Sequence, residues 1–202
     1  MKRIIFATGN KNKMREIREI MEGTDYEILS MKEAEIDSDP EENGETFSEN
    51  ALIKARDVFN KLSDEDRKNT VVLADDSGLE VDCMDKAPGV YSARFMGHET
   101  SYDIKNNAIL DKLKGVPEEE RTARFVCAIG AVFPDGSEEV SLKTMEGKIA
   151  HEISGENGFG YDPIFIPDGF SVTSAVLSPE DKNRISHRGK ALREMREILL
   201  AK

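Results

Sequence analysis

The sequence predicts an α/β fold: a two-lobed single domain with a long central mixed β-sheet flanked by helices. Three observations predict it. Short apolar, β-branched runs alternate along the chain with segments of helical spacing. A hairpin signal, Pro134-Asp135-Gly136, breaks the strand–helix rhythm, which argues for a mixed sheet over a regular parallel one. No internal repeat, low-complexity tract or clear linker divides the 202 residues, so a cleft between two lobes of one domain is the economical arrangement.

The elements follow in order. Ile4 to Ala7 reads as a first strand, Thr8-Gly9-Asn10 as a turn, and Lys11 to Met21 as a helix through Met14, Ile17, Ile20 and Met21. Tyr26 to Leu29 is a second strand. Segment 31–50 carries eight acidic residues against the single base Lys32 and reads as an exposed loop. Thr46-Phe47-Ser48-Glu49 matches a capping box that opens a helix through about Leu62. Thr70 to Leu73 is a buried strand expected to end at Asp75-Asp76-Ser77-Gly78, and Leu79 to Asp82 a separate short strand. After a turn at Ala87-Pro88-Gly89 come a helix over Ser101 to Leu113 and a strand over Thr122 to Phe133, which the hairpin joins to Glu138–Met145. A glycine-rich loop at Ser154–Gly160 precedes a strand at Asp162–Ile166. Ser178-Pro179-Glu180-Asp181 starts a helix with Pro at its first position, and the last helix runs from about Ser186 to the end.

Composition narrows the function. Hydrophobic residues at 38% can build a core, with nine Phe and four Tyr for aromatic bulk and no Trp. The net charge of −12 argues against binding a nucleic-acid polymer, which favours a basic face. Cys83 and Cys127 are too few for a disulfide scaffold and fit free thiols in a reducing cytoplasm. The apolar run at the start is too short for a signal core, and no stretch approaches transmembrane length. The three histidines are far apart, which disfavours a His-rich zinc site.

Seven segments carry possible chemistry, each with an ordinary structural alternative. Asp75-Asp76 places two like charges side by side, which suggests a hard cation, Mg²⁺ before Zn²⁺; the alternative is a capping turn. Thr8-Gly9-Asn10-Lys11-Asn12-Lys13 leads into a helix N-terminus, a natural anion site, although the P-loop spacing is absent. Glu41 or Glu42 could complete the metal site, or both could be solvated. Asn50 and Lys54 share a helix face, and Asn50 carries no charge to neutralise the ammonium. Arg94 could fork onto a phosphate or pair with a carboxylate. Gly158-Phe159-Gly160-Tyr161-Asp162 allows backbone approach to a flat ligand with aromatic stacking, and Lys182, Arg184, His187 and Arg188 supply directional donors. Together these are the parts of a Mg-nucleotide site.

The pattern resembles the inosine triphosphate pyrophosphatase family. The matching segments are FATGNKNK (6–13), EENGETFSENALIKA (41–55), ADDSGLEVD (74–82), APGVYSARF (87–95), ARFVCAI (123–129), GFGYDPIF (158–165) and SHRGKAL (186–192), in family order across nearly the whole chain. The resemblance implies an ITPase-like fold, a homodimer, and Mg-dependent hydrolysis of ITP, dITP and XTP to the monophosphate and pyrophosphate. It implies that Thr8, Gly9, Asn10, Lys11, Asn12 and Lys13 hold phosphates and that Asp76 is general base and metal carboxylate, with Ser77 beside it on the substrate. Glu41 or Glu42 would be the further metal carboxylate, with Asp75 adjoining. Phe159, Gly160, Tyr161, Asp162, Lys182, His187 and Arg188 would recognise the nucleotide, and Lys54 and Arg94 the phosphates. Two departures are Cys83-Met84-Asp85-Lys86, where many members carry a Gly-Gly turn, and His151-Glu152-Ile153-Ser154 before the glycine loop. The rivals are a Maf-type pyrimidine nucleotide pyrophosphatase and a non-enzymatic nucleotide sensor.

Overall fold

Six strands form one mixed sheet in the order β2-β1-β3-β4-β5-β6 in the computed structural model, which describes residues 2–202. The strands are β1 (Lys2–Phe6), β2 (Tyr26–Ser30), β3 (Thr70–Val81), β4 (Thr122–Val132), β5 (Glu138–Ile149) and β6 (Phe165–Pro167). The helices are α1 (Lys11–Ile20), α2 (Phe47–Lys61), α3 (Asp64–Arg67), α4 (Tyr102–Lys112), α5 (Pro179–Ile185) and α6 (His187–Ala201). β1 pairs in parallel with both β2 and β3, whereas β5 pairs antiparallel with β6. The predicted α/β class and mixed sheet hold. No helix among the described residues is long and apolar enough to cross a membrane.

The chain forms two compact units. The first contains the residues up to Asp76, Cys127–Lys143 and Arg188–Lys202. Its strands alternate strictly, so each face collects its own core. Ile4, Phe6, Val71, Leu73, Cys127 and Ile129 pack with Met14 and Ile17 of α1 and with Leu192 and Met195 of α6. On the opposite face Ile5, Val72 and Ala74 pack with Ala55 and Val58 of α2. Gly130 faces α2: a Cβ there would stand 3.0 Å from the Ala51 backbone, so glycine sets how near the helix lies. α2 starts as expected, with Thr46 and Glu49 exchanging both capping-box bonds, a motif contributing about 1 kcal/mol.

The second unit contains Ser77–Val126 and Thr144–His187. Its core joins Leu79, Val81, Phe125, Met145 and Phe165 with Ile109 and Leu113 of α4. Gly147 and Gly155 lie against the backbone of Ile166 and Ala175 at distances no Cβ could occupy. At the Cys83–Lys86 departure, Asp85 and Lys86 adopt φ of 52° and 66°, the left-handed region that a Gly-Gly turn would enter without steric strain. Lys86→Gly is therefore expected to stabilise the protein by about 0.5–1 kcal/mol, the relief of side-chain strain less the extra freedom of the unfolded chain. A thermal melt raised by a couple of degrees checks it.

One strand expectation is corrected. β3 does not stop at the carboxylates; it continues through Asp75, Asp76, Ser77 and Gly78 to Val81, absorbing the separate strand expected at Leu79–Asp82. What ends there is its neighbour: β1 terminates at Phe6, opposite Leu73, and Ala7 N–H makes a last bond to the Leu73 carbonyl at 2.7 Å. The open position is thus the carboxyl end of β1, the kind of edge at which α/β sheets bind ligands. Asp162–Ile164 is likewise a short 3-10 turn, and the strand there begins only at Phe165.

Candidate active site

Alternation along β3 sends the two adjacent aspartates to opposite faces. Asp75 continues the Val71–Leu73 row, and Asp76 the Val72–Ala74 row. Their surroundings differ accordingly.

Asp75 has a fully buried side chain. Oδ1 is ion-paired with Lys13, while Oδ2 accepts from Arg188 Nε at 2.8 Å and Cys127 Sγ at 3.2 Å. Burial pushes its carboxyl up, but the charges of Arg188 and Lys13 and their hydrogen bonds outweigh burial and hold it well below the usual range. Arg188 reaches on to Glu16 Oε2 at 3.3 Å. Burial works against its charge too, and Asp75 foremost among its partners keeps it firmly protonated. Asp75 was expected among the metal ligands. Its oxygens bond Lys13, Arg188 and the Cys127 thiol, which makes it an anchor for those side chains.

Asp76 is the opposite case. Oδ1 accepts from Lys54 Nζ at 2.8 Å, and Oδ2 is buried with no hydrogen-bond partner among the described residues. Burial raises its pKa to about 6 despite the attraction of Lys54, with the charges of Glu42 and Asp75 adding to the rise. Lys54 is shared: its Nζ also lies 3.3 Å from Glu42 Oε1. Burial disfavours the ammonium, but Asp76 and then Glu42 more than compensate. Of the acidic pair, Glu42 is turned toward Lys54, whereas Glu41 is exposed.

The loop before α1 is ordered from within. Asn10 caps the helix, its Oδ1 accepting from the N–H groups of Asn12 at 2.8 Å and Lys13 at 3.3 Å, while Thr8 Oγ1 accepts from Asn10 N–H. Those N–H groups are already occupied, so the open helix end expected of this segment is narrower than the spacing suggested. Gly9, Asn10, Lys11 and Asn12 are exposed, and Thr8, Gly9 and Lys11 line an open cavity of about 1010 Å³.

In the second unit the glycine loop folds around Asp162. Asp162 Oδ2 accepts from Phe159 N–H at 2.8 Å and is ion-paired with Lys182, whose Nζ lies 5.2 Å from the Phe159 ring centre. Gly158 has φ of 79°, and a Cβ on it would sit 2.3 Å from Asp162 Oδ2, so no other residue fits. Phe159 is 42% exposed and presents an aromatic face to solvent. Tyr161 is buried instead; its hydroxyl donates to the Ser92 carbonyl at 2.8 Å, and its ring meets Tyr102 edge-on. Burial raises the Tyr161 phenol above its usual range. Gly160 accepts through its carbonyl from Asn106 Nδ2 at 3.1 Å. His187 stacks on Phe125 at 5.0 Å, nearly parallel. Arg94 lies over the Tyr91 ring at 5.1 Å, and Ser77 is half-buried on β3.

The first unit thus brings together Glu42, Lys54 and Asp76, and separately Lys13, Asp75 and Arg188. The second brings together Phe159, Asp162 and Lys182. Sequence reasoning did not foresee Glu16, Cys127, Phe125, Asn106 or the buried Lys105, which donates to the Ala93 carbonyl at 2.6 Å. Phe125 and Cys127 lie in the matching segment 123–129, but nothing in it pointed to Asp75 or His187; Glu16, Lys105 and Asn106 lie in no matching segment. Among the described residues no three carboxylate, thiol or imidazole groups form a metal-binding cluster. The Glu42–Asp76 pair still suits Mg²⁺, which takes one or two carboxylates and keeps water and phosphate oxygens for its other positions. The unpartnered buried Oδ2 of Asp76 is the donor such an ion would use.

Residues 4–198 match the Ham1 family. A protein of Caldanaerobacter subterraneus subsp. tengcongensis named dITP/XTP pyrophosphatase is 47% identical, over 99% of this chain and 97% of that relative. One of the same name from Desulforamulus reducens is 45% identical, over 98% and 95%. Among solved structures, a HAM1 protein from Coxiella burnetii superposes with a TM-score of 0.88 at 35% identity, each chain fully covered. The Staphylococcus aureus Ham1 protein superposes with 0.87 at 39% identity, over 99% of both chains.

Proposed function

Because the chain belongs to the Ham1 family, we propose that it is a nucleoside-triphosphate pyrophosphatase that hydrolyses dITP, XTP and ITP to the monophosphate and pyrophosphate. The names of its relatives support the reaction and substrate class. The observation that carries the assignment of chemistry is the divergence of two neighbouring aspartates. Asp75 is neutralised by Lys13 and Arg188, while Asp76 keeps a buried, unpartnered oxygen and a carboxyl raised to about 6. Pairs of carboxylates pushed apart in this way mark acid–base sites.

Asp76 takes a proton from the attacking water as its oxygen bonds to the α-phosphorus; the α–β bridging bond breaks and pyrophosphate leaves with the electron pair. Lys54 holds Asp76 and Glu42 in place and offers charge to the phosphates, as do Lys11 and Lys13 at the start of α1. Mg²⁺, held by Asp76 and Glu42, would neutralise phosphate charge and order the chain of oxygens. Phe159 stacks on the base, Lys182 and His187 donate to its edge, and Asp162 holds Lys182 in place. A donor set matched to a 6-oxo purine leaves those donors unpaired against the 6-amino group of adenine, which is the costly kind of mismatch. The biological consequence we propose is removal of these nucleotides from the pool by a cytoplasmic homodimer.

Incubation with Mg²⁺ and ITP, dITP, XTP, ATP, GTP or dTTP, with products resolved, tests the reading. Monophosphate and pyrophosphate from the first three, with ATP at least about 100-fold slower, are expected, since an unpaired buried donor commonly gives such a ratio. Orthophosphate as product, or preference for dTTP, would overturn it.

A further inference from the structure

We propose that Asn50 is a positioning residue for Glu42, acting through a latch on the backbone of Gly44. The inference deepens the Mg²⁺ reading above and rests on it. Asn50 is completely buried in the first turn of α2. Its Oδ1 accepts the Gly44 N–H at 2.8 Å. The fit is specific to glycine: a Cβ on residue 44 would stand 2.7 Å from Asn50 Oδ1 and 2.8 Å from Glu49 Cβ. Gly44 lies two residues after Glu42, so the bond ties the backbone that carries that carboxylate.

The loop needs tying. Segment 31–50 holds eight acidic residues and one base, so repulsion favours a splayed, solvated path. Its downstream end is held by Glu49 Oε2, which accepts from the N–H groups of Glu45 at 2.7 Å and Thr46 at 3.1 Å. Asn50 extends this grip to Gly44. Asn50 and Lys54 are four residues apart on one helix face. That face therefore holds the loop backbone at one turn and, at the next, presents the ammonium that Glu42 and Asp76 share. A residue serving only to fill the core would be apolar. Here Nδ2 is buried without a hydrogen-bond partner among the described residues, an arrangement that packing alone does not favour.

The test uses the full chain, with Mn²⁺ as a paramagnetic substitute for Mg²⁺ and binding followed by electron paramagnetic resonance. Asn50→Ala and Gly44→Ala are expected each to weaken Mn²⁺ binding about tenfold, the lower end of what loss of an outer-sphere partner does to a metal site. Gly44→Ala leaves the Asn50 side chain in the core, so it remains informative if Asn50→Ala folds poorly. The double variant is expected to be no worse than either single one, because both break the same contact. Excess Mg²⁺ is expected to restore most of the lost kcat. Singly substituted proteins that melt at lower temperature yet bind Mn²⁺ like the wild type would make Asn50 a packing residue and overturn the proposal. So would additive losses in the double variant. Wild-type protein that fails to bind Mn²⁺ would overturn the metal reading itself and the latch with it.

Discussion

Asp76→Asn is expected to lower kcat for ITP by about 10²–10⁴-fold, the range that a positioned general base contributes. The substitution keeps the shape and leaves an oxygen to accept from Lys54, but it removes the charge that would bind a metal and the lone pair that would take a proton. Asp76 is buried, and desolvation is what raises its pKa to about 6. A neutral amide is easier to bury than a carboxylate, so the fold is expected to survive with a melting temperature near or above that of the wild type. Pyrophosphate release and a circular-dichroism melt on one preparation separate the two effects. If the D76N variant turned over ITP at near wild-type rates, the base would lie elsewhere.

Arg188→Met should show the reverse, with stability as the leading loss. Arg188 is 4% exposed, and it bonds Asp75 Oδ2 at 2.8 Å and Glu16 Oε2 at 3.3 Å. Removing one member of a buried pair leaves a carboxylate whose desolvation is no longer offset, at about 3–5 kcal/mol. For a chain of this size that corresponds to a fall of about 10 °C in Tm. Lys13 remains beside Asp75, so the lower half of the range is the better expectation. Asp75→Asn added to Arg188→Met removes the stranded charge and should recover part of the loss. If the double variant melted below the single one, the penalty would not come from an uncompensated Asp75. The family resemblance places Arg188 on the nucleotide; the ion pairs give it a structural duty whatever else it touches.

Much of the architecture was legible because local signals and tertiary outcome agree. The capping box at Thr46 and Glu49, the Pro-led start of α5 and the Pro134–Gly136 hairpin are read from a few neighbouring residues, and each forms as expected. The length of β3 was not legible. Asp, Ser and Gly disfavour strands on their own, and only pairing with other strands carries the backbone through them. Within the site, residue type pointed Lys54 toward phosphates and Asp76 with Glu41 or Glu42 toward a metal; that Lys54 bridges Asp76 and Glu42, and that Glu42 rather than Glu41 does so, depends on the path of a loop that no periodicity describes. The separate fates of Asp75 and Asp76 follow from strand alternation once β3 is known to continue. Glu16 and Cys127 enter only because α1 and β4 pack on the same face as Asp75.

The alternation of β3 also bears on which changes of length this gene could tolerate. Neighbouring aspartates are chemically interchangeable, and only the parity of their positions decides which meets Arg188 and which meets Lys54. One codon inserted or deleted between Thr70 and Asp75 would exchange the two faces for every residue beyond it, forcing each apolar row into the other face's core as well as transposing the carboxylates. A two-codon change would preserve parity and shift only the register. Natural variation in chain length is therefore expected to spare this strand and to accumulate in connections such as Cys83–Lys86, where the count of residues has no such meaning.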